Sequence, residues 1–188
     1  PFYQSFNSQA GGIFPLGGPI TSYTHFLIIW GIFLVPVAFM VCSYFLSLIR
    51  QDRGLSSYAF GAVGVVLSPF LIWALAMVLL GESFHVIATR FIHLTPLFVL
   101  QWGALYGLLE GGRRTAPLYV LIALALSFAG VSALVIPELF YVVDMFNSRM
   151  NTVFKLHYQA WVLLALSSAT ALYYWQTILK GMSLKWVR

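Results

Sequence analysis

The chain has 188 residues, of which 61% are hydrophobic and only 8% are charged, whereas an average soluble domain carries about 25% charged residues. So few charged residues cannot cover the surface of a water-soluble globule. The composition therefore excludes an ordinary cytosolic enzyme, a disordered chain and a nucleic-acid-binding domain. The net charge of +5 is typical of the basic loops that set the topology of a membrane protein. The single cysteine, Cys42, excludes an internal disulfide and a cysteine-based metal site.

The first 24 residues are an aromatic stretch rich in Gly and Pro, PFYQSFNSQAGGIFPLGGPITSYT. The pair Gly11-Gly12 and the run Gly17-Gly18-Pro19 are typical of loops, and no cleavable signal pattern is present. We therefore expect residues 1–24 to form a re-entrant or interfacial loop on the outer side. We also interpret the chain as a fragment of a longer one, cut in or before such a loop.

Five apolar runs are long enough to cross the hydrocarbon core, which takes about 20 helical residues. They are His25–Ile49, Tyr58–Leu80, Phe91–Leu109, Leu118–Ile136 and Val153–Trp175. Because they are apolar on nearly all faces, they are typical of helices in a membrane bundle. The predicted fold class is therefore all-α: a polytopic bundle of about five transmembrane helices over residues 25–175, with a basic tail at 176–188.

Small residues inside these runs indicate where helices pack. Gly103 and Gly107 form a GxxxG pair in the third run, and Gly61 and Gly64 give the second run a small-residue face. Such faces let helix backbones approach closely.

The positions of Lys and Arg predict the orientation. Seven of them follow the first and third runs or lie in the tail: Arg50, Arg53, Arg113, Arg114, Lys180, Lys185 and Arg188. Only Arg90, Arg149 and Lys155 lie on the opposite side. The positive-inside rule then places the C-terminal tail in the cytoplasm and residue 1 outside.

Most of the remaining polar chemistry falls on the predicted outer side. Glu82, His85, Arg90 and His157 are supporting polar residues there. The middle of the predicted spans contains no Asp, Glu, Lys or Arg, which argues against a proton pump or an ion-coupled transporter. An active region, if the chain has one, is therefore expected on the outer side.

The densest polar segment begins in a predicted outer loop at residues 137–152 and continues into the fifth helix. Asn151, Lys155 and Gln159 are spaced so that they share one helix face. Free N–H groups at the helix N-terminus, together with Arg149 and Lys155, favour an anion. At a membrane surface the expected anion is a lipid phosphate or diphosphate. The alternative is that Arg149 pairs with Glu138 or Asp144 and Lys155 extends to the interface.

Two carboxylates in the same segment, Glu138 and Asp144, are candidate catalytic residues, as a base or as metal ligands. The alternative is that acidic side chains in an outer loop are solvated or ion-paired. No metal site and no cofactor is identifiable from the residues. The histidines lie near helix ends, which does not favour haem or pigment ligation, and no hydrolase, zincin or nucleotide-binding motif is present.

Two stretches resemble a known family. The first is the N-terminal PFYQSFNSQAGGI with the following TSYTHFLIIWGIFL. The second is PELFYVVDMFNSRMNTVFKLHYQAWVLLALSSA, with its RMNTVFK and YQAW elements at Arg149–Lys155 and Tyr158–Trp161. Both look like segments of the large "YYY" membrane proteins. That family of bacteria and archaea was formerly of unknown function, and it is similar to the GT-C glycosyltransferases.

The resemblance implies an enzyme of the prokaryotic plasma membrane that uses a polyprenyl-phosphate-linked sugar at the outer face. It implies that Arg149 and Lys155 bind the donor phosphate, with Asn151, Tyr158 and Gln159 as polar support. In GT-C enzymes the catalytic acidic residue lies in the first outer loop, which would precede residue 1. The missing N-terminal part would then be a partner of this segment, and a divalent metal is possible in the full-length protein.

Two other function classes compete with this interpretation. A non-enzymatic accessory or scaffold subunit would have the same residues tied up in ion pairs without a cavity, whereas an enzyme needs a cleft with converging polar groups. A small-solute permease would need a polar path through the bundle, and Gln101 is the main polar side chain in the middle of a predicted span.

Overall fold

The computed structural model describes residues 11–52, 54–143 and 148–186, without the side chains of residues 52 and 180–186. It contains five helices and two short strands, in the order β1 (Gly12–Pro15), α1 (Tyr23–Asp52), α2 (Tyr58–Leu79), α3 (Phe84–Arg113), α4 (Leu118–Leu139), β2 (Phe140–Val143) and α5 (Met150–Trp186). All five helices are long and apolar enough to cross a membrane. The predicted fold class, an all-α membrane bundle with five spans, is confirmed.

The helices extend beyond the apolar runs that predicted them. Helix α3 begins at Phe84 and ends at Arg113, although its apolar run covers only Phe91–Leu109. Helix α5 begins at Met150 and continues through residues 176–186 of the predicted tail. Backbone hydrogen bonds continue through polar residues at membrane depth and beyond it, so an apolar run marks the hydrocarbon core rather than the ends of a helix.

Helix α4 lies in the middle of the bundle and packs against α3 and α5, and to a smaller extent against α2. Gly130 makes the α4–α5 contact close, since a Cβ there would lie 2.8 Å from Leu164 Cγ. About one turn nearer the start of α4, in the same interface, the Ser127 and Ser167 hydroxyls lie 2.7 Å apart. Close backbone approach and polar bridges of this kind hold membrane helices together where apolar burial gives no advantage over lipid.

Helix α1 packs on α5 and α3, and the contact with α3 uses the predicted GxxxG pair. A Cβ on Gly103 would lie 2.8 Å from Val41 Cγ1, and one on Gly107 would lie 3.2 Å from Tyr44 Cδ1. The prediction of a close helix contact at this pair is confirmed. Gly61 and Gly64 differ, because an added Cβ at either would have no heavy atom within 4 Å among the described residues.

A two-stranded antiparallel ribbon, which the sequence did not predict, joins the N-terminal segment to the α4–α5 connection. It pairs Gly12 with Val143 and Pro15 with Phe140. Gly12 has a φ of 118°, a conformation that favours glycine. Beyond the ribbon, Leu16 N–H donates to the Leu139 carbonyl and its own carbonyl accepts from Trp73 Nε1 at 3.2 Å. We call this end of the bundle the strand pole.

The opposite end, the arginine pole, is organised by one carboxylate. Glu110 is fully buried and accepts hydrogen bonds from Arg113, Arg114 and Ser56. Arg114 also donates to Gln51 at the end of α1. Residues interpreted from the sequence as topology anchors therefore also join α1, α3 and the α1–α2 loop.

Candidate functional site

Glu138 is the centre of a polar cluster at the strand pole. The sequence placed it in a loop at 137–152, but α4 continues to Leu139, so the carboxylate projects from the last turn of a helix and is only 2% exposed. It accepts hydrogen bonds from Thr21 N–H at 3.2 Å and Thr21 Oγ1 at 2.5 Å. Pro137 has no N–H to donate to the preceding turn, and α4 ends two residues after it.

Arg149 lies immediately before α5 and forms an ion pair with this carboxylate. Its Nη1 is 3.1 Å from Glu138 Oε2, and its Nη2 donates to Thr21 Oγ1 at 3.2 Å. The Arg149 side chain is 25% exposed, so it can still be reached from the surface. The pairing of Arg149 with Glu138 is one of the two alternatives that the sequence left open. The other partner, Asp144, lies outside the described residues.

Arg90, predicted as a supporting residue of the outer face, is a buried structural member of the same cluster. It is 2% exposed and donates to the backbone carbonyls of Glu138 and Gly18. Its guanidinium lies over the Trp73 ring, 4.8 Å from the ring centroid, where a cation–π contact stabilises it. Within the described part of the chain, Arg90 Nε has no hydrogen-bond partner.

The cluster of Thr21, Arg90, Glu138 and Arg149, called the strand-pole cluster below, carries one more positive than negative charge. Among the described residues of the cluster, the two arginines are opposed by the Glu138 carboxylate. A singly charged anion, such as a phosphodiester, can therefore be accepted without creating a net negative charge in a desolvated place.

An apolar cavity of about 340 Å³ ends at this cluster. It lies between α1 and α3, and apolar side chains such as Phe26, Leu34 and Leu97 line most of it. Its polar end is formed by Thr21, His93 and Glu138. Tyr23 stacks on His93 with 4.0 Å between ring centroids, and the His93 ring is held by a 2.9 Å contact between Nε2 and the Thr21 carbonyl.

The other predicted phosphate ligands lie along a separate groove. Asn151, Lys155 and Gln159 line a depression of about 300 Å³ together with Val142, Thr152 and Leu156. Lys155 and Gln159 are exposed there, and Tyr158, also predicted as a ligand, is 68% exposed. The structure thus places the three residues on one face of α5, while Arg149 contacts Glu138 and Thr21 instead.

The remaining predicted residues of the outer side divide between two places. His85 and Arg90 line a third, shallow groove of about 450 Å³ together with residues 17–20, and Glu82 lies close to Gly17. His157 packs edge-on against Trp30, with 5.1 Å between ring centroids. Its Nε2 is buried and has no hydrogen-bond partner among the described residues.

Sequence reasoning missed Thr21, His93 and the Gly18 carbonyl as members of this site. Thr21 is 117 positions from Glu138, and no local spacing relates the two. Glycine and proline at 17–19 predicted a loop but not its place across the helix ends. In the described part of the chain, no group of three His, Cys, Asp or Glu side chains is arranged to hold a metal ion.

Comparison with known proteins gives one match. No curated protein and no solved structure is significantly similar to the chain. The family described as "Uncharacterized membrane protein (DUF2298)" matches residues 1–164. That match covers most of the chain and includes the first stretch, the RMNTVFK and YQAW elements of the second, the strand-pole cluster and the cavity. The chain therefore belongs to this family of membrane proteins, whose function is uncharacterized.

Proposed function

We propose that this chain forms the lipid-donor-binding part of a GT-C-like membrane glycosyltransferase that uses a polyprenyl-phosphate-linked sugar. The observation that carries the proposal is the cavity between α1 and α3, whose walls are apolar and whose end is formed by Thr21, His93 and Glu138. A ligand that matches both parts has a hydrocarbon tail and a polar head. Pockets with mostly apolar walls and a few convergent polar groups are the usual form of a small-molecule site.

The charge of the strand-pole cluster supports a phosphate as the head group. Arg149 is partly exposed, and an arginine binds phosphate through two parallel hydrogen bonds. Glu138 serves to orient Arg149, because its carboxylate is already paired with Arg149 and Thr21. Lys155, Asn151 and Gln159, in the neighbouring groove on α5, would bind a lipid head group or the sugar from the surface.

The proposal includes an orientation. The arginine pole holds Arg50, Arg113 and Arg114, so the positive-inside rule supports a cytoplasmic location for that end. The strand pole with its cluster would then face the outer side of a prokaryotic plasma membrane, where the polyprenyl-linked sugar is used.

Binding of undecaprenyl phosphate to the protein in nanodiscs tests the phosphate assignment. Glu138→Gln leaves both arginines and removes the competing carboxylate, so we expect its affinity to equal or exceed that of the wild type. The double variant Glu138→Gln/Arg149→Met also removes the cation, and we expect a loss of about tenfold or more, the equivalent of one charge-assisted hydrogen bond of at least about 1.4 kcal/mol. Native mass spectrometry or a thermal-shift titration measures both.

The paired design keeps the result interpretable. Both variants lack the Glu138 carboxylate, so neither leaves an unpaired buried anion. Arg50→Met removes an exposed arginine at the opposite pole and should leave binding unchanged. Equal affinities of the single and double variants would contradict the assignment of Arg149 to the phosphate.

A scaffold subunit is the second candidate, and the Arg149–Glu138 ion pair is the observation that favours it. If the pair is purely structural, both variants change the stability of the bundle but not the affinity for a polyprenyl phosphate. The cavity beside the pair favours the enzyme over the scaffold, since a scaffold does not need an apolar pocket that ends at polar groups.

A further inference from the structure

The cavity at the strand pole continues along the α1–α3 seam. A second cavity of about 300 Å³ is lined by residues that include Val41, Cys42, Phe45 and Trp102. Ala38, Pro96 and Leu100 line both cavities, so the two are consecutive stretches of one groove. We call it the seam groove, with an upper stretch at the strand-pole cluster and a lower stretch around Cys42.

The length of the seam groove matches the thickness of a membrane. Its lining begins at Tyr23 and reaches Phe45 on α1, which at 1.5 Å per helical residue is about 33 Å. The hydrocarbon core of a bilayer is about 30 Å thick. The groove therefore runs from the polar cluster at one surface across nearly the whole apolar layer.

Two features keep the seam open while the helices stay in contact. Pro96 lies inside α3, where its ring removes a backbone hydrogen bond and bends the helix. Ala38 presents only a methyl group from α1 toward the same place. Farther along the seam, Gly103 touches Val41, so the groove is a channel beside a close helix contact and not a gap between separate helices.

We propose that the seam groove holds one long isoprenoid tail, extended along α1 and α3, with its phosphate at the strand-pole cluster. This inference rests on the proposed function and adds the path of the tail and the need for a long one. The groove follows α1 and α3 and has one polar end, at Thr21 and Glu138, so it fits a lipid with one head group and one long tail. Arg149, which contacts both of these residues, is the cation for the anionic head. A diacyl phospholipid would leave its second chain outside.

Photo-crosslinking tests the path of the tail. Two undecaprenyl phosphate probes are used with the protein in phosphatidylcholine nanodiscs, one with a diazirine next to the phosphate and one with a diazirine on a distal isoprene unit. We expect the first to label peptides that contain Tyr23 or His93, and the second to label those with Cys42, Phe45 or Trp102. Unlabelled undecaprenyl phosphate in tenfold excess should reduce both signals about tenfold, by mass action.

A blocked groove gives the matched control. Ala38→Trp fills the groove where its two stretches join, and it should abolish labelling of the lower stretch while head-group labelling persists. Ala169→Trp adds the same side chain on the exposed face of α5 and should change neither. If Ala38→Trp fails to fold, Leu100→Phe narrows the same junction from α3 and should give a graded loss.

The outcomes separate this inference from the proposed function. Competable head-group labelling with distal labelling scattered over the lipid-facing sides of α2 and α5 would overturn the seam groove and leave the phosphate site standing. Equal labelling of the lower stretch by a phosphatidylglycerol probe would overturn the isoprenoid as its occupant. Absence of competable labelling by either undecaprenyl probe would overturn the proposed function, and this inference with it.

Discussion

Glu138 is a carboxylate at one end of the bundle, and its neighbours supply almost all the hydrogen bonds that its two oxygens can accept. Thr21 supplies two donors and Arg149 a charge, while Arg90 holds the backbone carbonyl of the same residue. A buried carboxylate is tolerated only when it is paired and hydrogen-bonded. The loop residues 17–21 are therefore fixed by the same contacts that stabilise Glu138.

The contacts of Arg90 give a prediction at the scale of a single residue. Its planar guanidinium reaches the carbonyls of Glu138 and Gly18 and stacks on Trp73 at the same time. In Arg90→Lys the compact ammonium cannot replace the fork and the stack together, so one buried carbonyl loses its partner. We expect the free energy of unfolding to fall by about 1–3 kcal/mol.

Unfolding by SDS in mixed micelles, followed by tryptophan fluorescence, measures this change. Arg50→Lys makes the same substitution at an exposed position at the end of α1, where changes stay within about 0.5 kcal/mol. Equal unfolding transitions for the two variants would show that the contacts of Arg90 do not stabilise the fold.

Sequence reasoning identified the acidic and basic members of the cluster but not their arrangement. Glu138 and Arg149 are close in the sequence, so their pairing was one of a few alternatives. Thr21 and Arg90 come from elements far along the chain, and only the packing of the helices brings them together. The position of Glu138 inside α4 was also missed, because the apolar run ends at Ile136 and the polar segment after it was assigned to a loop.

At the scale of elements, the sequence predicted the long transmembrane helices but not the short strands. Each of the five spans was found near its predicted position because about 20 apolar residues have few other stable environments. The strands Gly12–Pro15 and Phe140–Val143 have four residues each, too few for an alternating pattern. Their pairing depends on the bundle that brings the two segments to one end.

The two kinds of glycine in the helices give the second prediction. In Gly130→Ala the new methyl would lie 2.8 Å from both Leu164 Cγ and Cδ2, so α4 and α5 must separate or Leu164 must leave its rotamer. Overpacking of this kind costs about 1–3 kcal/mol. We expect a lower unfolding midpoint in the same SDS titration.

Gly61→Ala is the matched control on α2. A Cβ there meets no heavy atom of the described residues within 4 Å, and alanine favours a helix over glycine by up to about 1 kcal/mol. This variant should therefore be as stable as the wild type or slightly more stable. A destabilised Gly61→Ala would mean that the small face of α2 contacts something other than lipid.

At the scale of the whole molecule, the bundle has two polar ends of different character. The arginine pole neutralises Glu110 with Arg113 and Arg114, and it ties loops to helices. The strand pole carries the strand-pole cluster, the end of the apolar cavity and two shallow grooves. Within the described residues the candidate site thus lies at the strand pole, and the proposed use of a lipid-linked sugar requires that end to face outward.

Accessibility of two matched cysteines tests this orientation. Ser57 and Ser83 are both exposed N-cap residues without a side-chain cap hydrogen bond, and they lie at the arginine pole and the strand pole respectively. In a Cys42→Ala background, a membrane-impermeant maleimide should label Ser83→Cys on intact cells. It should label Ser57→Cys only after permeabilisation, because the positive-inside rule predicts that the pole with the basic loops faces the cytoplasm.

The reverse pattern would change more than the orientation. It would place the strand-pole cluster and the polar end of the cavity in the cytoplasm, where a polyprenyl-linked sugar destined for the outer face is not used. The function proposed for Arg149 would then be wrong even if polyprenyl phosphate still bound. Both positions are therefore labelled before and after permeabilisation, and the wild-type protein is the reference for the thiol of Cys42, which is exposed on α1 in the middle of an apolar span.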